Sequence, residues 1–447
     1  MIAATSSAFG HPAILGDRDP ATGQVEVSLV ATAAKTEYLP GKPANVWAYR
    51  DGSAAADTAT IPGPMLQLRV GDHVTVHFRN ELPEATTIHW HGIRVPPAHD
   101  GTPIAQVPVP PGGTFDYVFT ADDAGTFWYH PHVKSDSQIE RGLYGTIVVD
   151  GGDEVRADDD RMFVLDDVKL EATGLLSERT APLDLMLGRQ GNVLLVSGRR
   201  APSFETRPGA RERWRFVNSA NGRYFNLRLP GHTFQVIAWD GGLLAEPYET
   251  ETLLVAPGER YEVLVTLDGA AGDELALQTI HYDRGHDIPD PGPQDLLHVR
   301  LAGPASSPVP TRKWGTFAAI PVNGQTPRRS LVLDEMEEGL PEPRFTINGQ
   351  SAPDVPPIVA RSGDVEVWEI RNDAPMDHPF HLHGMFFQLV DIDGVAPAHR
   401  GWKDTINVPM KKTVRVAVRY GAAGKWMYHC HILEHAERGM MGELMLQ

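Results

Sequence analysis

One pattern occurs three times in this chain of 447 residues, and it constrains the fold more than any other feature. Each copy begins with Arg-x-Gly and ends on an asparagine nine residues after the glycine. The copies run from Gly71 to Asn80, from Gly209 to Asn218 and from Gly363 to Asn372. Apolar and polar residues alternate in between, which is typical of a half-buried β-strand. The copies lie 138 and 154 residues apart, so three domains of similar size account for the whole length.

The repeat predicts three tandem domains, at 1–152, 153–310 and 311–447. One boundary precedes the acidic run Asp158–Asp160, and the other falls in the Pro/Ser-rich stretch 304–310. The chain has 43 glycines and 37 prolines, which suits many short strands joined by turns. Convincing helical periodicity is scarce. We therefore expect an all-β protein of three tandem β-sandwiches.

Charge and hydropathy exclude several classes of function. The net charge of −18 argues against nucleic acid or an anionic membrane surface as the main partner. No apolar run approaches the ~20 residues needed to cross a bilayer, so we expect no membrane insertion. Residues 1–20 lack the basic start and apolar stretch of a signal peptide. The sequence thus predicts either a cytoplasmic protein or one whose leader has been removed.

Histidine pairs are the strongest chemical signal. With 19 histidines in 447 residues, His-x-His should occur by chance about once, but it occurs four times. Residues i and i+2 of a strand point to the same face, so each pair aims two imidazoles at one place. Eight neutral nitrogen ligands suit a cluster of transition metals. The pairs are His89/His91, His130/His132, His381/His383 and His429/His431.

The repeat indicates where these pairs lie. The first pairs begin at His89 and His381, each nine residues after the asparagine of its copy, whereas the middle copy has Leu227 there. The second pairs begin at His130 and His429, each five residues after a glycine. Domains 1 and 3 therefore supply four histidines each, and domain 2 supplies none. We expect a metal cluster between domains 1 and 3, with domain 2 as a spacer.

A second metal site is predicted around Cys430, the one cysteine of the chain, which can form no intramolecular disulfide. On a strand its thiolate faces away from the flanking histidines. His435, Met440 and His378 complete a His₂Cys set with a weak axial methionine, which is typical of a blue-copper site. Zinc is the alternative metal, but the thioether and the single thiolate between histidines favour copper.

These motifs resemble those of the multicopper oxidases, specifically of three-domain, laccase-like bacterial members. The resemblance implies three cupredoxin-like Greek-key β-sandwich domains and four copper ions. It extends over nearly the whole chain, and its motifs occur in the order of the family. They are His89-Trp-His91-Gly92, His130-Pro-His132, His378-Pro-Phe-His381-Leu-His383-Gly384, and His429-Cys-His-Ile-Leu-Glu-His435 ending at Met440.

The resemblance also implies a role for each ligand. A type 1 copper would be held by His378, Cys430 and His435, with Met440 axial. A type 2 copper would be held by His89 and His381. Two type 3 coppers would be held by His91, His130 and His431 on one side and by His132, His383 and His429 on the other. A reductant would give up single electrons near an exposed edge of His435, and four electrons would reduce O₂ to water.

Water formation consumes protons, and the family has an acid that Asp100 matches, although Asp100 is also a natural turn residue. A second acid usually follows the last type 1 histidine, but Ala436 occupies that position here and Glu437 comes one residue later. The second proton relay therefore stays unassigned. Trp90 and Trp128 are expected to form the wall of the cluster.

Three functions are weighed. The first is a laccase-like oxidase of phenols and aromatic amines. The second is a metallo-oxidase that oxidises Cu(I) or Fe(II) for copper tolerance; the chain has 12 methionines but lacks the methionine-rich run often found in such relatives. The third is a copper-free structural protein of the same fold, which the complete ligand set disfavours. We expect a monomer, because the ligands close within one chain, and, from the resemblance, a periplasmic or extracellular location.

Overall fold

The computed structural model describes residues 9–447 except 20, 153–154, 179, 287, 307–313 and 337–341. The first predicted domain boundary falls at 153–154 and the second within 307–313. Both lie outside the described residues, so both stay predictions. Six sheets form three face-to-face pairs. The prediction of three all-β sandwiches is therefore confirmed.

The first sandwich has two four-stranded sheets, β2-β1-β4-β6 and β3-β8-β7-β5. Its strands are β1 (Gln24–Leu39), β2 (Lys42–Asp51), β3 (Gly63–Arg69), β4 (His73–Asn80), β5 (His89–His91), β6 (Thr114–Thr120), β7 (Gly125–His130) and β8 (Gly145–Asp150). Short 3-10 turns lie at Ala56–Thr58 and Pro97–His99, and helix α1 at Ser135–Glu140.

The second sandwich has a six-stranded sheet, β10-β9-β12-β17-β14-β15, and a five-stranded sheet, β11-β19-β18-β13-β16. Its strands are β9 (Asp160–Val168), β10 (Val193–Val196), β11 (Ser203–Thr206), β12 (Ala210–Asn218), β13 (Phe225–Arg228), β14 (Phe234–Trp239), β15 (Gly242–Thr250), β16 (Thr252–Val255), β17 (Arg260–Leu267), β18 (Glu274–Ile280) and β19 (Gln294–Leu301). Helix α2 (Pro182–Leu187) precedes β10.

The third sandwich has two five-stranded sheets, β21-β20-β23-β27-β25 and β22-β29-β28-β24-β26. Its strands are β20 (Arg328–Met336), β21 (Arg344–Ile347), β22 (Ile358–Ala360), β23 (Val365–Asn372), β24 (His378–Leu382), β25 (Phe387–Ile392), β26 (Thr405–Val408), β27 (Thr413–Arg419), β28 (Gly424–Cys430) and β29 (Met441–Leu446). Helix α3 (Leu433–Glu437) joins the last two. None of the described helices is long and apolar enough to cross a membrane.

The sequence repeat corresponds to one strand of each sandwich: β4, β12 and β23. Each pairs in parallel with the first strand of its own domain, β1, β9 or β20. The glycine before the strand has a positive φ in all three copies, which glycine adopts without strain. Alternate side chains of β4 are buried, as the pattern predicts. The three domains therefore share one topology as well as one sequence pattern.

The asparagine that ends each copy of the repeat has a clear structural role. The Asn80 side chain donates to the carbonyls of Glu84 and Val109, at 2.8 and 2.9 Å, and accepts from Leu82 N at 2.9 Å. Asn218 and Asn372 make the same three kinds of bond in their own domains. All three asparagines are fully buried. Each ties the end of its strand to the following loop, which leads to β5 or β24 in the first and third domains.

Candidate metal sites

Four ligand-bearing strands meet between the first and third sandwiches. β5 pairs with β7 so that His89 lies opposite His130, and β24 pairs with β28 so that His381 lies opposite His429. The two halves contact through stacked rings. His91 lies 3.8 Å from His381 between centroids, and His89 lies 3.9 Å from His383. We call this the eight-histidine site: His89, His91, His130, His132, His381, His383, His429 and His431, all buried.

Backbone carbonyls orient four of these rings. Nδ1 lies 2.8 Å from Asp100 O in His89 and 2.9 Å from Pro131 O in His130. The corresponding distances are 2.9 Å to Asp404 O in His381 and 2.8 Å to Cys430 O in His429. A carbonyl only accepts, so each Nδ1 carries the proton and each Nε2 keeps a free lone pair. Metal-bound histidines typically donate their other ring N–H to a carbonyl or carboxylate in this way, which fixes the orientation of the ring.

The remaining ring nitrogens are those that a metal would need. Three Nε2 atoms converge, with His429 lying 3.0 Å from His383 and 3.3 Å from His132. Others are buried without a hydrogen-bond partner among the described residues: Nε2 of His89, His130 and His381, Nδ1 of His91, and both nitrogens of His431. Buried polar atoms without partners are costly. Cations bound by these lone pairs remove that cost, so the residues fit the copper that the resemblance implies.

The ionisation of the ligands favours metal binding as well. Burial, together with the neighbouring His381, lowers the pKa of His429 to about 3. Burial also lowers the pKa of His378 to about 3. Both rings are therefore neutral at physiological pH, as metal coordination requires.

Asp100 lies where the two halves meet. Its Oδ2 accepts from Nδ1 of His383 at 2.9 Å, and its Oδ1 lies 3.4 Å from Nδ1 of His89. The side chain is 1% exposed, and Oδ1 has no hydrogen-bond partner among the described residues. One carboxylate thus contacts a histidine from each domain.

A second carboxylate, which we did not predict from the sequence, lies on the other side of the cluster. Oδ1 of Asp404 lies 3.2 Å from Nε2 of His91 and 3.5 Å from Nδ1 of His381. The guanidinium of Arg260, in the second domain, donates to both carboxylate oxygens of Asp404 at 2.6 Å. Burial opposes ionisation of Asp404, but the guanidinium outweighs it and holds the pKa of the carboxyl well below its usual range. Domain 2 is therefore more than a spacer, although it supplies no histidine.

The second site, which we call the cysteine site, lies on the opposite face of β28. Sγ of Cys430 lies 3.5 Å from Nδ1 of His378 and 3.9 Å from Nδ1 of His435, and these two nitrogens are 3.2 Å apart. All three side chains are fully buried. Met440 is buried in the same core cluster, and its carbonyl accepts from the backbone N–H of Cys430 at 3.0 Å. Two nitrogens and one thiol at these distances fit a copper ion of the blue type.

The prediction that the His435 ring has an edge exposed to solvent is wrong. The ring is 0% exposed, because its Nε2 donates to the carbonyl of Met186 in α2 at 2.9 Å and Phe345 stacks on its face at 3.7 Å. Gly188, with a φ of +71°, lets the end of this segment pack directly against Ile432. The sequence offered no signal for this contact, because Met186 and His435 lie 249 residues apart.

Two smaller expectations are resolved. Trp128 does line the eight-histidine site, with its ring 4.2 Å from that of His130. Trp90 does not: it packs into the core of the first sandwich, 5.2 Å from Phe119, because neighbouring residues of β5 face opposite ways. Glu437 accepts from the backbone N–H of Ser135 at 2.6 Å and so joins α3 to α1.

Comparison with known proteins agrees with this geometry. Three family models, each described as multicopper oxidase, match residues 43–154, 167–281 and 325–447. A multicopper oxidase of Mycobacterium tuberculosis is 32% identical over 86% of this chain and 81% of its own length.

Solved structures resemble the chain over nearly its full length. A multicopper oxidase from Campylobacter jejuni, described as a metallo-oxidase, has a TM-score of 0.86 at 28% identity and covers 99% of this chain and 94% of its own. A laccase from Pediococcus acidilactici has a TM-score of 0.85 at 31% identity and covers 100% and 94%. The cupredoxin-like fold is thereby confirmed. The chain belongs to the multicopper oxidase family, whose members are copper-dependent oxidoreductases that use O₂ as the acceptor.

Proposed function

We propose that the chain is a laccase-like oxidase, which takes single electrons from phenols and aromatic amines at the cysteine site and reduces O₂ to water at the eight-histidine site. The observation that carries this proposal is the arrangement on β28 and the residue that follows it. Cys430 faces one site, while its neighbours His429 and His431 face the other. One peptide unit on each side of Cys430 therefore connects the place of substrate oxidation to the place of O₂ reduction.

Four copper ions follow from the proposed ligand sets. His378, Cys430, His435 and Met440 would hold a type 1 ion, and His89 and His381 would hold a type 2 ion. Two sets of three histidines would hold the type 3 pair, namely His91, His130 and His431, and His132, His383 and His429. The convergence of the last three Nε2 atoms supports that set. Bound copper supplies the one-electron chemistry and the binding of O₂.

The protein itself supplies orientation and protons. Backbone carbonyls fix the proton of four rings, those of His89, His130, His381 and His429, on Nδ1 and leave Nε2 for the metal. Asp100 holds His383 with Oδ2, and Oδ1 is the atom from which a proton can pass to the forming water. Because every ligand comes from one chain, a monomer suffices. A periplasmic or extracellular location is proposed from the resemblance to mostly exported relatives.

The ligand assignment is tested by replacing Cys430 with serine in the copper-loaded protein. Loss of the intense thiolate-to-copper absorption and of turnover, with an unchanged far-ultraviolet circular dichroism spectrum, is the expected result. A serine variant that stayed blue and active would refute the assignment.

One observation favours a second function, a metallo-oxidase acting on Cu(I) or Fe(II). The covered ring of His435 leaves no open edge against which an aromatic substrate could pack directly. O₂ consumption measured with a methoxyphenol and with Cu(I) separates the two functions. Faster turnover of the phenol supports the laccase, and faster turnover of Cu(I) supports the metallo-oxidase.

A further inference from the structure

We propose that Arg284 of the second domain is a buried cation that raises the reduction potential of the cysteine site. The inference rests on the proposed binding of copper by His378, Cys430 and His435. It concerns a residue that supplies no ligand and that lies in a different domain.

The position of Arg284 is fixed from two sides. Its carbonyl accepts from the backbone N–H of Asp377 at 2.8 Å, directly before the ligand His378. Its guanidinium donates through Nη2 to the carbonyl of Leu187. The preceding carbonyl, that of Met186, accepts from the ligand ring of His435. One peptide unit and two hydrogen bonds thus separate the guanidinium from that ring, a distance of roughly 10 Å or less.

The backbone geometry makes this placement specific. Gly285 forms an antiparallel bridge with Met376, so the loop of domain 2 docks on domain 3 like a strand. A Cβ on Gly285 would come within 2.1 Å of the carbonyl of Pro375. Its φ of +101° also favours glycine. The close approach that only glycine permits therefore holds Arg284 beside the site.

The charge of Arg284 is compensated only from beyond ion-pair distance, where the carboxylates of Asp377 and Asp167 favour its charged form. The residue is 2% exposed, and it forms no ion pair with any carboxylate that the structure describes. Its Nη1 also lacks a hydrogen-bond partner within that part of the chain. The guanidinium lies over the ring of Tyr224, 5.5 Å from its centroid. Burial lowers the pKa of Arg284 to about 10, which still leaves the side chain charged at neutral pH.

A fixed positive charge favours the reduced form of a neighbouring metal, because reduction adds an electron. Little solvent or salt separates the two groups, so the interaction is weakly screened. At an effective dielectric constant of about 20, a unit charge within roughly 12 Å changes a one-electron equilibrium about ten-fold. Potentials of such sites respond to charge and burial around the ligands.

The test is a redox titration of the copper-loaded protein followed by its blue absorption. Arg284→Gln and Arg284→Met remove the charge, and Arg284→Lys keeps it as the matched control. We expect both neutral variants to lower the one-electron equilibrium constant at least ten-fold, which corresponds to 59 mV. The lysine variant should stay closer to the wild type than to the neutral variants. The methionine variant retains the aliphatic stem and serves if the glutamine variant fails to fold or to bind copper.

Two outcomes would overturn the inference. One is a neutral variant whose one-electron equilibrium constant differs less than ten-fold, or 59 mV, from that of the wild type. The other is a lysine variant that falls as far as the neutral ones, since the effect would then come from the lost bond to Leu187 and not from charge. A wild-type protein without blue absorption would instead refute the proposed copper assignment, so the two failures are distinguishable.

Discussion

Replacing Arg260 by methionine removes the cation that holds Asp404 beside the eight-histidine site. Arg260 is fully buried and donates to both carboxylate oxygens at 2.6 Å. It also donates to the carbonyls of Thr126, Gly258 and Asp240, at 3.2, 3.3 and 3.0 Å. The substitution therefore leaves a buried carboxylate and three carbonyls without this donor.

The magnitude follows from that geometry. Removing one partner of a buried ion pair costs about 3–5 kcal/mol, because the remaining charge stays buried. Neutralising Asp404 as well should recover part of the loss. The double variant with Asp404→Asn should thus lose less than the sum of the two single variants, by about 0.5–3 kcal/mol. The matched control is Arg94→Met, which removes a solvent-exposed pair with Asp123 and should cost less than about 1 kcal/mol.

The assay is urea unfolding of the copper-free protein, followed by tryptophan fluorescence. A loss for Arg260→Met no larger than that for Arg94→Met would refute the reasoning. Strict additivity of Arg260→Met and Asp404→Asn would refute it too, because the two side chains would then act independently.

Three further predictions concern protons and access. Asp100→Asn keeps an acceptor for His383 but removes the acid, so reoxidation by O₂ should slow about 10²- to 10⁴-fold while anaerobic reduction by substrate keeps its rate; equal rates in both half-reactions would exclude the relay. Burial lowers the pKa of His378 and His429 to about 3, below the value of about 6.5 in an unfolded chain. Between these values the unfolded copper-free chain binds more protons, so each histidine should remove up to about 1.4 kcal/mol of unfolding free energy per pH unit as the pH falls from 6.5 towards 3; equal stability at pH 7 and pH 5 would contradict this. Gly188→Ala should push the end of α2 away from Ile432 and so open access to the cysteine site. The oxidation rate of a bulky phenol should then rise relative to that of a small phenol. An unchanged ratio of the two rates would show that α2 does not limit access to that site.

Much of the fold was predictable because the repeat and the histidine pairs are local patterns. A strand fixes which residues share a face, so His429 and His431 could be assigned to one site and Cys430 to another from spacing alone. Contacts between distant parts of the chain produce no such local pattern in the sequence. Arg260 and Asp404 lie 144 residues apart, and neither stands in a motif. The cover of His435 by Met186 depends on a helix of six residues in another domain, which no periodicity reveals.

The buried asparagine that ends each repeat strand has a consequence for the order in which the metal site forms and copper binds. Asn80 and Asn372 anchor the loops before β5 and β24 through hydrogen bonds that involve no metal, and carbonyls set the ligand rings in the same way. The middle domain forms the same anchor at Asn218 without any ligand. The hydrogen bonds that position the ligand-bearing strands therefore do not depend on bound copper, and the framework of the site precedes the metal.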